Sequence, residues 1–215
     1  GSIERAVELF HQDGFVVVSD ILNNEQIDML ATGCRDVIGD ILALDDSRYG
    51  NRGSHRYSFG GSSLTRSQLH HPAWQMLLEI DEVHTLLNAI FGSPDYSLRS
   101  GSGDFCLPGA TDYQPLHPDT RDWEDSKTTP FNSFIDPRGH MSLRDLPSPY
   151  NCVNFLPQDV TKLNRRTRQI PGTQNSRARI PNLKYEPEWM RLSTVCPAPA
   201  GAIMIRDVRA WHGGT

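Results

Sequence analysis

Pro108-Gly109-Ala110-Thr111-Asp112-Tyr113-Gln114-Pro115-Leu116-His117-Pro118-Asp119 is the stretch on which the reading of this chain turns. Pro-Gly turn chemistry opens it, a short apolar run follows, and an imidazole and a carboxylate close it two residues apart. In an extended run, residues i and i+2 point to the same side, so His117 and Asp119 can grip one metal ion together. The motif alone is weak evidence. A chance copy of His-x-Asp is expected in 215 residues with 8 histidines, and His11-Gln12-Asp13 is indeed a second copy. That copy falls at the end of a predicted helix, where positions i and i+2 diverge by about 200°, and it cannot chelate.

Upstream of the motif the chain reads as helical. Ile3, Val7 and Phe10 recur at helical spacing, and Gly14 stands where a left-handed C-cap is wanted. Phe15-Val16-Val17-Val18 is a short β-branched strand. Asn23, with Gln26 three residues on, has the layout of a capping box. It opens an apolar stripe through Ile27, Leu30, Cys34, Val37 or Ile38, and Ile41 or Leu42. Residues 45–72 lose all periodicity and form a long loop carrying Arg52, His55 and Arg56; loops of this length are often functional. Short helices follow from Ala73 and from about Glu82, the second closed by Gly92.

Beyond Pro94 the pattern changes to short strands between turn signals. We expect strands near Tyr96–Arg99, Gly103–Leu107, Cys152–Leu156, Thr167–Ile170, Thr194–Pro197 and Ala202–Arg206. Helices first and strands afterwards indicate an α+β chain whose core is an antiparallel sandwich or barrel. The expected organisation is a single domain, 1–215, mainly helical over residues 1–94 and with a strand-rich core over residues 95–215. An irregular insertion over 120–149, with Trp123, Phe131 and Phe134, is either a lid or a surface excursion packed on its own aromatics.

Composition removes several classes of function. A chain of 24.2 kDa is long enough to bury about 70% of the surface that its unfolded form exposes. Its net charge of −5 and pI near 5.9 argue against nucleic acid as a partner. No apolar run approaches the roughly 20 residues of a membrane span, and the start lacks the layout of a signal peptide. Cys34, Cys106, Cys152 and Cys196 show no zinc-type spacing and read as reduced thiols of a cytoplasmic protein. Between Val160 and Tyr185 lie Lys162, Arg165, Arg166, Arg168, Arg177, Arg179 and Lys184 without an acid. Such a run is a solvated face or the neighbourhood of an anionic cosubstrate.

A metal site needs a third ligand, and His212 is the best placed, after the strand Ala202–Arg206 and before Gly213-Gly214. His55, His70, His71, His84 and His140 lie in loops, on helices or in the insertion. Two neutral imidazoles and a carboxylate on one face of an octahedral ion form the facial triad of non-haem Fe(II) oxygenases, with three positions left open. A structural zinc site would want four ligands, usually thiolates.

At this point the residues carry a resemblance. Pro108-Gly109-Ala110 through Gln114, His117 and Asp119 resembles the phytanoyl-CoA dioxygenase family of Fe(II)/2-oxoglutarate oxygenases. So does Asn164-Arg165-Arg166-Thr167-Arg168-Gln169-Ile170-Pro171-Gly172-Thr173, and so does Pro199-Ala200-Gly201-Ala202 through Asp207 to Trp211-His212-Gly213-Gly214. The opening helix, Gly14-Phe15-Val16-Val17 and the Asn23-capped helix are similar as well. The family pattern departs at Arg165-Arg166, where a Gly is expected, and at Gln174, where a His is common.

The resemblance implies a double-stranded β-helix (jelly-roll, cupin-like) core with the N-terminal helices packed outside. It implies His117, Asp119 and His212 as ligands of Fe(II). Gln114 and Thr167, and more loosely Arg56, match positions that hydrogen-bond 2-oxoglutarate; turn, strand or loop chemistry is the plain alternative for each. The family's arginine that pairs with the distal carboxylate of 2-oxoglutarate lies beyond the distal histidine, so a truncated C-terminal end is expected.

The implied activity is oxidation of an unactivated C–H bond of a small molecule with 2-oxoglutarate and O2 as cosubstrates. Hydroxylation is expected, because a small residue replaces the carboxylate in related halogenases. Asp207 and Arg209 are candidates to orient His212 or to form a surface salt bridge, and Trp211 reads as core. Two other readings stay open: a jelly-roll binding protein that has lost catalysis, and a zinc hydrolase using the same ligands with water.

Overall fold

Helices dominate up to Phe91, with two strands among them, and strands dominate afterwards. The computed structural model describes residues 2–61, 66–122, 133–161, 164, 167–182 and 186–214. Helix α1 (Ile3–Asp13) starts at Ser2, whose side chain accepts from Arg5 N–H, and ends at Gly14 with φ +82°. A side chain at Gly14 would also meet Gln174 Oε1 at 2.6 Å, so conformation and close approach both demand glycine. Helix α2 (Asn24–Leu44) begins with the expected capping box, in which Asn23 Oδ1 accepts from Gln26 N and Gln26 Oε1 accepts from Asn23 N, both at 2.9 Å. Asn23→Ala removes this cap and is expected to cost about 1 kcal/mol, read as a lower midpoint in thermal circular dichroism. Two shorter helices follow, α3 (Pro72–Met76) and α4 (Asp81–Phe91), the latter closed by Gly92 in the left-handed conformation as expected.

Strand β1 (Phe15–Val18) pairs antiparallel with β8 (Ile203–Asp207), which pairs antiparallel with β6 (Asn151–Phe155). Strand alternation divides this sheet into two faces. Val16, Ile203 and Ile205 point to α1, α2 and α4, and join Phe10, Leu30, Val83, Leu86 and Ile90 in the largest core cluster. Met204, Arg206 and their cross-strand partners Val17, Phe15, Asn154 and Cys152 share the other face. The amphipathic helices thus cover one side of the sheet, and the other carries Arg206 and Asn154 among apolar neighbours.

The long loop expected over 45–72 contains a strand. Strand β2 (Arg56–Gly60) is buried throughout and pairs antiparallel with β3 (Ser102–Cys106). Its period-2 pattern is short: Tyr57 stacks on Phe105 and Phe59 packs on Trp74 of α3, while Arg56 and Ser58 face the opposite way. Its pairing partner lies more than forty residues on, so no local signal marks it. The loop before it is tied down by Asp45, which accepts from Tyr57 OH at 2.8 Å, Ser47 Oγ at 2.7 Å and Gly50 N at 2.9 Å.

Two other expected strands do not form. Tyr96–Arg99 is irregular, with the Tyr96 ring against Phe91 and His84. Thr194–Pro197 contributes one bridge, Thr194 to Gln169. The insertion holds a two-residue parallel pair, β4 (Arg121–Asp122) with β5 (Ser133–Phe134), and Asp122 accepts from Leu143 N at 2.6 Å and from Arg144 Nη1 at 2.5 Å. Residues 123–132, including Trp123 and Phe131 of the expected lid, lie outside the described residues. All four cysteines are free thiols, and among the described residues no helix is long and apolar enough to cross a membrane.

Candidate metal centre

Three chain segments lie side by side to build the site. Strand β9 (His212–Gly214) pairs antiparallel with β7 (Thr167–Gln169) on one edge. On its other edge, His117 N donates to His212 O at 2.9 Å and His212 N to His117 O at 3.0 Å, while Gln114 N donates to Gly214 O at 2.9 Å. Directly opposed residues put their side chains on one face, so His117, His212 and Gln169 share a side. Their neighbours Leu116, Trp211 and Ile170 take the other side and form a buried cluster with Ile180 and Trp189. Each functional side chain therefore follows or precedes an apolar anchor. Asp119 is fixed independently, by its N–H to Val208 O at 2.8 Å.

Ligand atoms of His117, Asp119 and His212 all lie within 4.8 Å of one another, the one such group of potential metal ligands among the described residues. Asp119 Oδ1 is 3.7 Å from His117 Nε2 and 3.4 Å from His212 Nε2. At metal–imidazole bonds of about 2.1 Å, adjacent ligand atoms of an octahedral ion sit about 3.0 Å apart, so a small inward shift suits a facial set. Each imidazole has its Nδ1 on a carbonyl: His117 on Pro115 O at 2.8 Å and His212 on Ala210 O at 2.9 Å. A carbonyl only accepts, so these contacts favour the Nδ1–H tautomer and leave both Nε2 lone pairs for a metal. The donor set fits Fe(II).

Charge around the site comes from a residue the sequence reading passed over. Arg206 is 5% exposed and donates from Nη1 to Asp119 Oδ2 at 2.9 Å; the same nitrogen is 2.9 Å from His212 Nδ1. Burial would raise the Asp119 carboxyl, but the Arg206 guanidinium and His212 outweigh it and hold it well below the usual carboxylate range. Burial, reinforced by Arg206, pushes His212 down to about 4, and burial also lowers His117.

The sign of the pH effect follows. Between about pH 6.5 and 4 the unfolded chain protonates His212 and the native metal-free protein does not, so stability falls as the pH falls. The metal-free protein is expected to lose about 3 kcal/mol across that window, measured by urea unfolding at stepped pH. A His212→Gln variant should show a visibly flatter profile.

Candidate cosubstrate contacts lie at the other end of β9, around Gly214. Gln114 Oε1 accepts from Gly214 N at 3.1 Å, and its Nε2 is 3.4 Å from His117 Nε2. Thr167 is the cross-strand partner of Gly214. Arg56 donates from Nη1 to Asp112 O at 3.1 Å, and its Nη2 occupies the space that a side chain at position 214 would fill. The Gln114 amide thus reaches the triad at His117, and it meets the Arg56 guanidinium at Gly214.

Other expected residues stand elsewhere. Asp207 and Arg209 do not touch His212 and are not at the surface: they form a buried bidentate pair at 3.0 and 2.6 Å, and Arg209 also donates to Leu143 O and Leu146 O. Arg168 of the basic run is buried, donates to Gln114 O at 3.1 Å and lies over the Tyr113 ring. Arg177 pairs with Asp145, whereas Lys162, Arg165, Arg166 and Lys184 lie outside the described residues. Gln174, in the position where a His is common, donates to His11 O at 2.9 Å at the end of α1. Arg206 did leave a signal: it is a cation ending the apolar run Ala202-Ile203-Met204-Ile205.

Comparison with known proteins places this geometry. No curated protein matches the chain, but many solved structures do. It is similar to AviO1 from Streptomyces viridochromogenes Tue57, with 18% identity over 99% of this chain and 87% of that one, TM-score 0.59. It is similar to EctD from S. alaskensis, solved with 2-oxoglutarate and 5-hydroxyectoine, with 15% identity over 98% and 69% of the two chains, TM-score 0.63. It is similar also to SnoK, a non-heme α-ketoglutarate-dependent carbocyclase from nogalamycin biosynthesis, with 16% identity over 100% and 79%, TM-score 0.64. At such identities the likeness establishes a shared mixed helix–strand fold. Residues 10–215 match the phytanoyl-CoA dioxygenase (PhyH) family, and the chain belongs to it.

Proposed function

We propose that this protein is an Fe(II)/2-oxoglutarate-dependent dioxygenase that hydroxylates or otherwise oxidises an unactivated C–H bond of a small molecule, releasing succinate and CO2. Family membership and the α-ketoglutarate-dependent neighbour support the class. The observation that carries the reading to this chain is the convergence of two carbonyl-oriented imidazoles and one carboxylate on a single point. In this reading the antiparallel strands belong to a double-stranded β-helix, and 1–215 act as one catalytic unit. The neighbours include a carbocyclase and an epimerase, so fold alone does not choose the reaction; the carboxylate at Asp119 favours hydroxylation.

Iron with 2-oxoglutarate supplies the O2-dependent oxidising chemistry when bound. The chain supplies placement. His117 and His212 would offer Nε2, because each Nδ1–H donates to a carbonyl. Asp119 is ionised over the whole working range of pH. Gln114, Thr167 and Arg56 would hydrogen-bond the cosubstrate. The substrate is an oxygenated metabolite or a carrier- or CoA-linked acid, with neither nucleic acid nor membrane as partner, and the four free thiols suit the cytoplasm.

The test is anaerobic addition of Fe(II) and 2-oxoglutarate, followed by admission of air. A visible charge-transfer band and then succinate are expected, and His117→Ala should abolish both. Wild-type protein that gives neither signal would sink the oxygenase reading.

A further inference from the structure

We propose that Arg206 is a positioning residue that restricts Asp119 to a single ligating oxygen, keeping a coordination position free for the cosubstrate; this rests on the oxygenase reading above. A carboxylate with both oxygens free can bind a metal through one or both. Here the two oxygens are assigned different partners. Oδ1 faces His117 Nε2 and His212 Nε2 at 3.7 and 3.4 Å, whereas Oδ2 takes a charge-assisted hydrogen bond from Arg206 Nη1 at 2.9 Å. A guanidinium stays protonated and has no lone pair to offer, so it can neither bind the metal nor release Oδ2 by losing a proton.

The scaffold holds this cation still. Arg206 sits on the central strand of its sheet, opposite Phe15 on one side and Cys152 on the other. Pairing on both sides fixes its backbone and the face of the sheet from which its side chain emerges. Its Nη1 also lies 2.9 Å from His212 Nδ1, so the cation sits against both the carboxylate and the second imidazole. The consequence is numerical. Three single-atom ligands leave three positions on an octahedral ion, the number needed by a two-toothed cosubstrate and dioxygen. A second oxygen from Asp119 would take one of them.

Cobalt(II) affinity, by chelator competition, and 2-oxoglutarate affinity for the cobalt-loaded protein, by calorimetry, separate this role from a structural one. Arg206→Met is expected to bind cobalt within about tenfold of wild type or more tightly, because the cation no longer repels the metal and a second oxygen is released. Its 2-oxoglutarate affinity should fall tenfold or more, and its cobalt absorption spectrum should change. Arg206→Lys, which restores a charged donor, should recover most of that affinity and serves as the deciding variant if Arg206→Met does not fold. Unchanged 2-oxoglutarate binding in Arg206→Met, or 2-oxoglutarate binding no better in Arg206→Lys than in a folded Arg206→Met, would overturn the assignment. So would a tenfold or greater loss of 2-oxoglutarate affinity in Arg206→Lys when it alone folds, or a loss of cobalt affinity in Arg206→Met parallel to its loss of 2-oxoglutarate. Wild type that binds cobalt and not 2-oxoglutarate would overturn the oxygenase reading with it.

Discussion

Asp119→Ala is expected to eliminate succinate formation and, separately, to destabilise the metal-free protein by about 3 kcal/mol. The first effect is loss of a ligand. The second has a different origin: Asp119 is the carboxylate that faces Arg206, whose side chain is only 6% exposed. Removing one partner of such a pair strands the other charge in a medium that solvates it poorly. His117→Ala provides the contrast. It removes a ligand equally, but its imidazole is lowered toward neutrality by burial, and no buried charge is left behind. Urea unfolding of the metal-free proteins should therefore separate the two variants, although both lack activity. The double change Asp119→Ala with Arg206→Met should regain most of the stability and none of the activity, a coupling that a double-mutant cycle measures. Equal stability of Asp119→Ala and His117→Ala would show that water reaches Arg206 freely.

Arg209→Ala should have the largest effect on stability, about 3 to 5 kcal/mol. Asp207 is 2% exposed and receives the Arg209 guanidinium through two oxygens. The same side chain closes the carbonyls of Leu143 and Leu146 at 3.0 and 2.8 Å. Alanine takes the guanidinium from a buried carboxylate, which keeps only the Arg209 N–H, and from the carbonyls of Leu143 and Leu146, and each loss adds to the cost. The midpoint of thermal unfolding should drop by about 10 °C. His212 follows this turn by three residues, so metal binding should weaken in the same variant. Replacing both members, with Asp207→Asn and Arg209→Met, should cost less than Arg209→Ala alone. A change below 1 kcal/mol would mean that the pair is solvated.

Much of this architecture was legible because it is local. Gly14 as a left-handed cap, the Asn23–Gln26 box and the stripe of α2 depend on residues within a few positions of one another, and each is found where the pattern puts it. The candidate triad was legible for another reason. His117 and Asp119 are two residues apart, and His212 stands at the end of an apolar strand. Three ordered motifs narrowed the choice among 8 histidines. Strand β2 was not legible, because its apolar positions are two residues, Tyr57 and Phe59, and its pairing energy comes from a segment far along the chain. Local sequence also failed for Thr194–Pro197: its composition suits a strand, yet one bridge is all that forms there among the described residues. β-structure depends on its neighbours more than on its own residues.

Charge was where sequence misled most. Asp207 and Arg209 flank the approach to His212 and were natural candidates to orient it, but a strand alternates its faces. Arg206 and Asp207 are adjacent, so they point to opposite sides of β8; one meets the metal ligands and the other meets Arg209. The amino-acid sequence by itself determined the helices of the N-terminal part, the caps that bound them and the three side chains that cluster as candidate metal ligands, since these rest on local backbone preference and donor chemistry. Only the tertiary structure decided which cation faces which anion, because register across β1, β8 and β6 sets the side of the sheet on which each side chain emerges.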